Sequence, residues 1–160
     1  MTNALTIRRA TAHDQPTIVD FNCALALETE GKVLLHEVIS RGVAAMLGNE
    51  NRGMYFVAEQ SGVIVGALML TYEWSDWRNG NFWWIQSVYV RREARGHGVY
   101  RGLYEHVRAL AAKDPNVCGF RLYVEQDNAR AQRTYSALGM SETHYQMYEE
   151  LKLGVVFLKD

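Results

Sequence analysis

The stretch Arg95-Gly96-His97-Gly98-Val99-Tyr100 decides the fold. It follows the apolar run Phe82–Val90 and leads into apolar residues at helical spacing that begin near Val99. A strand, a glycine-bearing turn and a helix start aim several backbone N–H groups at one point, because the first N–H groups of a helix have no partner within it. A phosphate is a natural ligand for such a point, and Arg95 adds a positive charge. The sequence therefore predicts a phosphate-binding turn.

The turn departs from both common nucleotide-binding patterns. The sequence has no Gly-Lys-Ser/Thr of a P-loop, and no Gly-x-Gly-x-x-Gly followed about 20 residues later by an acidic residue. The glycines at 96 and 98 still let the backbone approach a ligand closely. Alone, the stretch also fits an ordinary strand-to-helix turn of any α/β protein, so a second signal is needed.

A second segment, residues 125–140, also runs from the end of an alternating strand pattern into a short helix. Asn128 is a suitable N-cap because its side-chain oxygen can accept a helix N–H. Ala131 and Tyr135 are four residues apart and share a helix face, and Gly139 predicts the end of the helix. The segment therefore repeats the strand-to-helix layout of the first.

Together the two segments resemble the GNAT superfamily of acetyl-CoA-dependent N-acetyltransferases. Arg95 and Gly98 match the start of the family's Arg/Gln-x-x-Gly-x-Gly/Ala loop, which binds the coenzyme pyrophosphate. Tyr100 stands where the family has its second glycine or alanine. The family's Asn-x-x-Ala-x-x-x-Tyr-x-x-x-Gly-Phe segment is matched by Asn128, Ala131, Tyr135, Gly139 and Met140. The other elements also follow the family's order, so the resemblance covers nearly the whole chain.

The order of apolar patterns predicts a mixed α/β sheet with helices on both faces. The predicted strands are Leu5–Arg9, Met54–Glu59, Val63–Thr71, Trp83–Val90, Cys118–Val124, Glu142–Glu149 and Leu153–Lys159. The predicted helices are residues 14–27, Val33–Leu47, Val99–Lys113 and a short helix that Asn128 begins. The resemblance implies the GNAT fold, with a central mixed, mostly antiparallel twisted sheet of about six to seven strands. We expect a single N-acetyltransferase domain over residues 1–160.

Charge and composition exclude several functional classes. The 17 basic and 18 acidic residues leave a net charge of −1, without the basic excess that nucleic-acid binding needs. The longest apolar run is too short to span a membrane and no signal peptide is recognisable, so we expect a cytoplasmic protein. Cys23 and Cys118 are expected in the core rather than in a disulfide. The five scattered histidines predict no metal site.

The resemblance implies acetyl-CoA as the acyl donor and assigns residues to it. The backbone of Val88–Val90 would pair with the pantetheine arm as an added strand and polarise the acetyl oxygen. Asn128 would bind the same arm, and Tyr135 would lie beside the coenzyme sulfur as the general acid. The alternatives are a helix cap for Asn128 and a packing role for Tyr135. The expected donor-binding set is Val88, Tyr89, Val90, Arg95, Gly96, His97, Gly98, Val99, Tyr100, Asn128 and Tyr135.

The reaction also requires a base, because an alkylamine with a pKa near 10.4 is only about one part in 10³ deprotonated at neutral pH. The aromatic-rich stretch 72–90 is similar to the diamine and thialysine acetyltransferase branch, but Gln86-Ser87 replaces that branch's Glu-Asp pair. Gln86 cannot be a base, although it can orient a water. The carboxylates that could take over are Glu73, Asp76, Glu28 and Glu30, each of which also fits a solvated loop.

An aromatic cluster precedes and enters the same strand, and consists of Tyr72, Trp74, Trp77, Trp83 and Trp84. It predicts either a wall that receives an amine by cation–π contact, or part of the core or of a dimer interface. With the nearby carboxylates, the expected substrate-binding set is Glu28, Glu30, Tyr72, Trp74, Asp76 and Trp77.

These patterns favour an N-acetyltransferase that moves acetyl from acetyl-CoA to a primary amine of a small molecule by direct attack, with Tyr135, Gln86 and Glu73 as catalytic candidates. The alternatives are a protein N-terminal or lysine acetyltransferase, and a non-catalytic acyl-CoA sensor, which Gln86-Ser87 and Tyr100 keep open. Family members often pair through their last strands, so we expect a homodimer. No metal, nucleic-acid or membrane partner is expected.

Overall fold

The structure is a computed structural model and describes residues 4–160. Its strands are β1 (Leu5–Arg9), β2 (Gly53–Gln60), β3 (Val63–Ser75), β4 (Gly80–Val90) and β5 (Val117–Arg121). Its α-helices are α1 (Gln15–Glu30), α2 (His36–Leu47), α3 (Val99–Ala111) and α4 (Ala129–Ala137). The described chain divides into two compact units: the first extends to Leu122 and includes Phe157–Asp160, and the second is Tyr123–Val156. The expectation of one domain over residues 1–160 stays a prediction.

The five strands of the first unit form one sheet in the order β1-β2-β3-β4-β5. Strands β1 to β4 pair antiparallel with their neighbours, and β5 pairs parallel with β4. Helix α3 connects β4 to β5, because a parallel neighbour requires a crossover connection. The predicted α/β fold with a mixed, mostly antiparallel sheet is therefore confirmed.

Helices cover both faces of this sheet. In β2, Val57 packs with Ile18 of α1 and Val43 of α2 in one core cluster. The adjacent Phe56 points to the opposite face, since successive side chains of a strand alternate, and its ring centre lies 5.2 Å from that of His106 in α3. The prediction of helices on both faces is confirmed.

The two closing strands predicted at Glu142–Glu149 and Leu153–Lys159 are wrong. In that part of the described chain, the strand-like pairing is an isolated antiparallel bridge between Leu34 and Leu158. Leu153 is 97% exposed, so its apolar side chain does not pack against another element. A strand needs partners for its backbone and a packed face for its side chains. The sheet therefore has five strands, slightly fewer than expected.

The second helix begins at His36 instead of Val33, where its apolar pattern starts. Leu35 N–H donates a hydrogen bond to the Phe157 carbonyl (2.8 Å), and Lys159 N–H donates to the Val33 carbonyl (2.8 Å). The residues before His36 stay extended because their backbone groups bond to a segment far along the chain.

Two glycines let α3 lie close to the sheet. A Cβ on Gly66 in β3 would lie 2.9 Å from Val99 Cγ1 and 3.2 Å from the Tyr89 carbonyl oxygen. A Cβ on Gly102 in α3 would lie 2.8 Å from Leu5 Cδ2. Because the first residue of α3 packs over β3 and the end of β4, the turn that precedes α3 is held beside that strand end.

An ion pair joins β1 to the start of α1. The Asp14 carboxylate accepts hydrogen bonds from both terminal nitrogens of Arg8 (2.8 and 2.9 Å) and from Thr11 N–H (2.7 Å). Arg8 also donates to Glu59 of β2 (2.7 Å). Asp14 is only 6% exposed, and its bonds to Arg8 hold its pKa down to about 2. The carboxylate therefore stays charged in the folded protein.

We expect Asp14 to make the stability of the fold depend on pH in acid. Because its pKa falls from 3.8 to about 2 on folding, its charged form contributes roughly 2 kcal/mol to the free energy of unfolding. This contribution is fully present above about pH 4 and is lost as the pH drops to about 2. Asp14→Asn should lower the free energy of unfolding at neutral pH and flatten its acid dependence in urea titrations. Asp20→Asn, at an exposed site in α1, is the matched control and should change neither.

Gly66→Ala should lower the free energy of unfolding by about 1–3 kcal/mol, because the added methyl group would overlap Val99 Cγ1. In a double-mutant cycle measured by urea unfolding, Val99→Ala should recover part of that loss, since it removes the obstructing atom. Strictly additive effects of the two substitutions would show that Val99 is not the obstacle.

Candidate active site

The predicted phosphate-binding turn has the expected form. It joins a short 3-10 turn after β4 to Val99, the first residue of α3. Gly96 and Gly98 have φ of +82° and +79°, in the left-handed region that favours glycine. Apart from chain neighbours, no atom of residues 4–160 lies within 4 Å of a Cβ built on either glycine. The turn is therefore open in front of the N-terminus of α3, whose first N–H groups lack helical partners.

The Arg95 side chain lies between the end of β4 and the end of α1. Its Nε donates to the Val90 carbonyl (2.9 Å), and one terminal nitrogen donates to Glu28 Oε2 (2.7 Å). Its guanidinium carbon lies 5.4 Å from the centre of the Tyr89 ring. The cation that the sequence assigns to the turn is therefore held beside β4.

Glu28, expected in the acceptor cleft, contacts the arginines of this turn instead. Besides Arg95, it accepts hydrogen bonds from Arg92 Nε (3.1 Å) and from the Tyr89 hydroxyl (3.1 Å). These bonds, above all the one from Arg95, lower the pKa of the Glu28 carboxyl. A carboxylate with a lowered pKa is a weaker base, so this position suits charge compensation better than proton transfer.

The acceptor candidates Glu30 and Asp76 make local surface contacts. Glu30 pairs with Lys32, two residues further along the chain. Asp76 accepts a hydrogen bond from Trp77 N–H (2.8 Å) in the exposed turn between β3 and β4. The structure therefore does not bring Glu28, Glu30 and Asp76 together at one acceptor site.

Strand β4 continues well beyond its pairing with β5. Within the described residues, β5 pairs with β4 only from Asn81 to Trp84. Between Ala67 and Met69 the β3–β4 register shifts, and Ser87 adopts φ +49°, so β4 carries a bulge just before Val88. The segment Val88–Val90 therefore has β3 on one side and no strand of the sheet on the other. This segment is the one that, by the resemblance, would pair with the pantetheine arm.

A set of polar and aromatic side chains shares one face of β3, β4 and β5. Glu73 pairs with Phe82 across β3 and β4, and Thr71 pairs with Trp84, which in turn pairs with Arg121 of β5. Directly paired and alternate residues point the same way. The Glu73 carboxylate forms an ion pair with the Arg121 guanidinium, and Gln86 Nε2 donates to Thr71 Oγ1. We call this set the polar cluster: Thr71, Glu73, Phe82, Trp84, Gln86 and Arg121.

The five aromatic residues predicted to form a wall do not line one surface. Tyr72 and Trp83 pair directly on the face that α3 covers, opposite to the polar cluster. Trp84 is adjacent to Trp83, so its side chain lies on the opposite face, with the polar cluster. Trp77 is 88% exposed in the turn, and Trp74 is also exposed. Trp84 is therefore the aromatic residue of this group that shares a face with Glu73 and Gln86.

In the second unit, α4 has the predicted ends. Asn128 caps the helix, and its Oδ1 accepts a hydrogen bond from Ala131 N–H (3.1 Å). Gly139 follows the helix with φ +95°, as expected of a helix terminator. Tyr135 is half-buried in α4, and burial raises the pKa of its phenol. The phenol therefore stays protonated at neutral pH.

Arg121 is a candidate site residue that the sequence patterns did not single out. Its strand was predicted, but the candidates for the base and for acceptor binding all lie before or within β4. The available signal was a charged residue two positions after Gly119 in an otherwise apolar strand, which places it on the face of its paired neighbour Trp84. The charge on that face becomes apparent once β5 is paired with β4.

Other candidate chemistries find little support in the described part of the chain. There, no group of three His, Cys, Asp or Glu side chains could hold a metal ion. Cys23 and Cys118 are free and half-buried. No helix among residues 4–160 is long and apolar enough to cross a bilayer.

Known proteins with this architecture include acetyltransferases. A structure of a possible acetyltransferase from Clostridium difficile 630 is 47% identical, with a TM-score of 0.87 over 93% of this chain and 98% of that chain. A predicted acetyltransferase with acetyl-CoA from Clostridium acetobutylicum is 18% identical, with a TM-score of 0.74 over 94% and 97% of the two chains. An aminoglycoside N-acetyltransferase in complex with CoA is 15% identical, with a TM-score of 0.74 over 95% and 97%. At these last two identities, the likeness shows the fold alone.

The family relationship rests on sequence as well as on fold. Among curated proteins, none matches the chain. The model of the acetyltransferase (GNAT) family matches residues 23–140, which is well over half of the sequence. The chain therefore belongs to the acetyltransferase (GNAT) family and is an acyl-CoA-dependent acetyltransferase.

Proposed function

We propose that the enzyme is an N-acetyltransferase that moves acetyl from acetyl-CoA to a primary amine of a small molecule by direct attack. One observation carries the proposal: β4 separates from β5 after Trp84 and ends beside the open turn at Gly96 and Gly98. A free strand edge that leads into an anion-binding turn suits a donor that combines an amide-bearing arm with a pyrophosphate.

The donor would bind along the free edge of β4. Backbone groups of Val88–Val90 would pair with the pantetheine amides as an additional strand does. The pyrophosphate would accept from the N–H groups of the turn and the first residues of α3, with Arg95 adding charge. The open space at Gly96 and Gly98 supports this fit. Tyr100, the departure from the family pattern, stacks along α3 on Tyr104, with ring centres 6.2 Å apart.

Transfer forms a C–N bond and breaks the thioester C–S bond, so the departing thiolate needs a proton. We assign that proton to the Tyr135 hydroxyl, as the family resemblance implies, because a phenol is protonated at neutral pH and can donate to the sulfur as negative charge builds there. Backbone N–H groups of Val88–Val90 would polarise the acetyl oxygen. Because Asn128 Oδ1 caps α4, its amide nitrogen is the group that would donate to the pantetheine arm.

The proton of the attacking amine would leave through the polar cluster. Gln86 donates to Thr71, so its side-chain carbonyl is the part that can orient a water. Glu73 is the carboxylate on the same face and would receive the proton. Glu28 is instead held beside the glycine turn by Arg95, Arg92 and Tyr89.

A small acceptor other than a polyamine fits these residues. The diamine branch that the sequence resembles has two carboxylates where this chain has Gln86-Ser87. A polyamine carries several positive charges, whereas the polar cluster offers one carboxylate that Arg121 already balances. Release of free thiol from acetyl-CoA, measured with a panel of small amines against peptides, tests this proposal. Transfer to peptides alone would indicate a protein acetyltransferase, and acetyl-CoA binding without any transfer would indicate a sensor.

We also propose a cytoplasmic homodimer. The free, half-buried cysteines suit a reducing compartment. In the second unit, exposed apolar side chains such as Tyr148, Leu153 and Val156 form the kind of surface that association covers. Sedimentation of the purified protein as a monomer would contradict the proposed homodimer.

Tyr135→Phe should lower kcat by about 10²- to 10³-fold, because the thiolate loses its proton donor. The affinity for acetyl-CoA, measured by calorimetry, should change little, since the ring remains. In the wild type, activity should not decline through loss of the tyrosine proton until the pH exceeds the usual phenol pKa of about 10. Tyr148→Phe, at an exposed tyrosine of the same unit, is the matched control. Unchanged turnover in Tyr135→Phe would remove the assignment.

Arg95→Gln should weaken acetyl-CoA binding by about 10- to 100-fold, because a charge-assisted contact to the pyrophosphate is lost. Binding of S-acetylpantetheine, which lacks the pyrophosphate, should be weak in the wild type and unaffected by the substitution. Arg92→Gln removes the other arginine bond to Glu28 and serves as the control. An equal loss in both variants would mean that the effect arises through Glu28 rather than through direct contact.

A further inference from the structure

The polar cluster places two opposite charges side by side where the two parallel strands separate. Glu73 of β3 and Arg121 of β5 form an ion pair across β4. Arg121 is the last residue of β5 and pairs with Trp84, the last β4 residue that β5 contacts. Two residues later along β4 comes Gln86, on the same face. A ligand group bound to Arg121 therefore lies beside the start of the free β4 edge.

The Arg121 guanidinium is held in place by an aromatic ring. Its central carbon lies 3.8 Å from the centre of the Phe82 ring. Gly119 makes this possible, since a Cβ there would lie 2.9 Å from Phe82 Cε1. The guanidinium of Arg78 also lies near the ring, 5.0 Å from its centre. Stacking on an aromatic ring leaves the guanidinium edge to bind carboxylate oxygens.

The ion pair is accessible and can exchange partners. The side chains of Arg121 and Glu73 are 29% and 40% exposed. An ion pair this exposed contributes little to stability, so separating it for a ligand costs little. Because Arg78 and Arg121 both lie near the Phe82 ring and Glu73 is the one carboxylate of the polar cluster, the patch favours an anionic group on the ligand and repels a second cation.

We infer that the acceptor is a small zwitterion of the α-amino acid type. Arg121 binds the acceptor carboxylate, and Glu73 binds its ammonium group before the reaction. Because Glu73 and Arg121 contact each other, the two complementary charges of the ligand must also lie close together, as the α-amino and α-carboxyl groups of an amino acid do. This inference rests on the proposed acetyl transfer and names the class of acceptor for the same site.

The test on the wild-type enzyme uses matched acceptors. Thiol release from acetyl-CoA is measured with the common α-amino acids, with their α-carboxamides and with the corresponding amines that lack the carboxyl group. The preferred amino acid should show a kcat/KM at least about tenfold above its carboxamide and its decarboxylated amine, because each of these leaves Arg121 without its anion. Amines or carboxamides that react as well as the amino acids would overturn the inference while leaving the acetyltransferase function intact.

Substitutions test whether Arg121 causes the preference for an acceptor with a carboxylate. Arg121→Gln should lower the ratio of kcat/KM for the amino acid to kcat/KM for its decarboxylated amine by about 10- to 100-fold, because only the amino acid carries the carboxylate that Arg121 binds. Arg108→Gln is the control: it removes another arginine that lies over an aromatic ring, 5.6 Å from the centre of Tyr104, on α3. An equal loss for both acceptors in Arg121→Gln would show a structural role and count against recognition of the carboxylate.

A binding measurement separates this inference from the proposed function. If no primary amine releases thiol, the proposed function fails, and calorimetric titration of the protein with amino acids in the presence of CoA then decides the inference. Binding of an amino acid but not of its carboxamide supports a zwitterion site. Binding of neither overturns it.

Discussion

Parallel pairing between β4 and β5 stops after Trp84, and the arrangement of the site depends on this limit. Strand β4 has 11 residues, and its second half continues past the end of the five-residue β5. A strand edge without a neighbour keeps backbone donors and acceptors that another extended chain can use. The same early end of β5 leaves Arg121 at the point of separation. One feature of strand pairing thus supplies both the donor edge and the charge proposed to select the acceptor.

The arginines near this edge are balanced by carboxylates from other elements. Arg95 and Arg92 share Glu28 from the end of α1, and Arg121 pairs with Glu73 from β3. Each pair lies near the surface, where solvent weakens its attraction and a ligand anion can compete for the guanidinium. The arginines proposed to bind ligands are therefore held by ion pairs that cost little to separate.

Prediction from sequence succeeded where the signal was local. The strand Leu5–Arg9 follows from apolar alternation and the start of the last helix from the capping side chain of Asn128, and both are present. Prediction failed where the partner lay far along the chain. Residues before His36 bond to Phe157 and Lys159, and the apolar side chains between residues 141 and 156 are exposed. Helix propensity and apolar alternation do not indicate which distant residues a segment will bond to or pack against.

The sequence by itself determined the elements as far as the helix capped by Asn128, their order and the glycine turn, because glycine conformation, side-chain capping and apolar periodicity are properties of neighbouring residues. Only the tertiary structure decided that Glu28 meets Arg95, which face of the sheet Trp83 and Trp84 each occupy, and that Arg121 meets Glu73. These contacts depend on strand register and helix placement, which are set by the packing of residues distant in sequence.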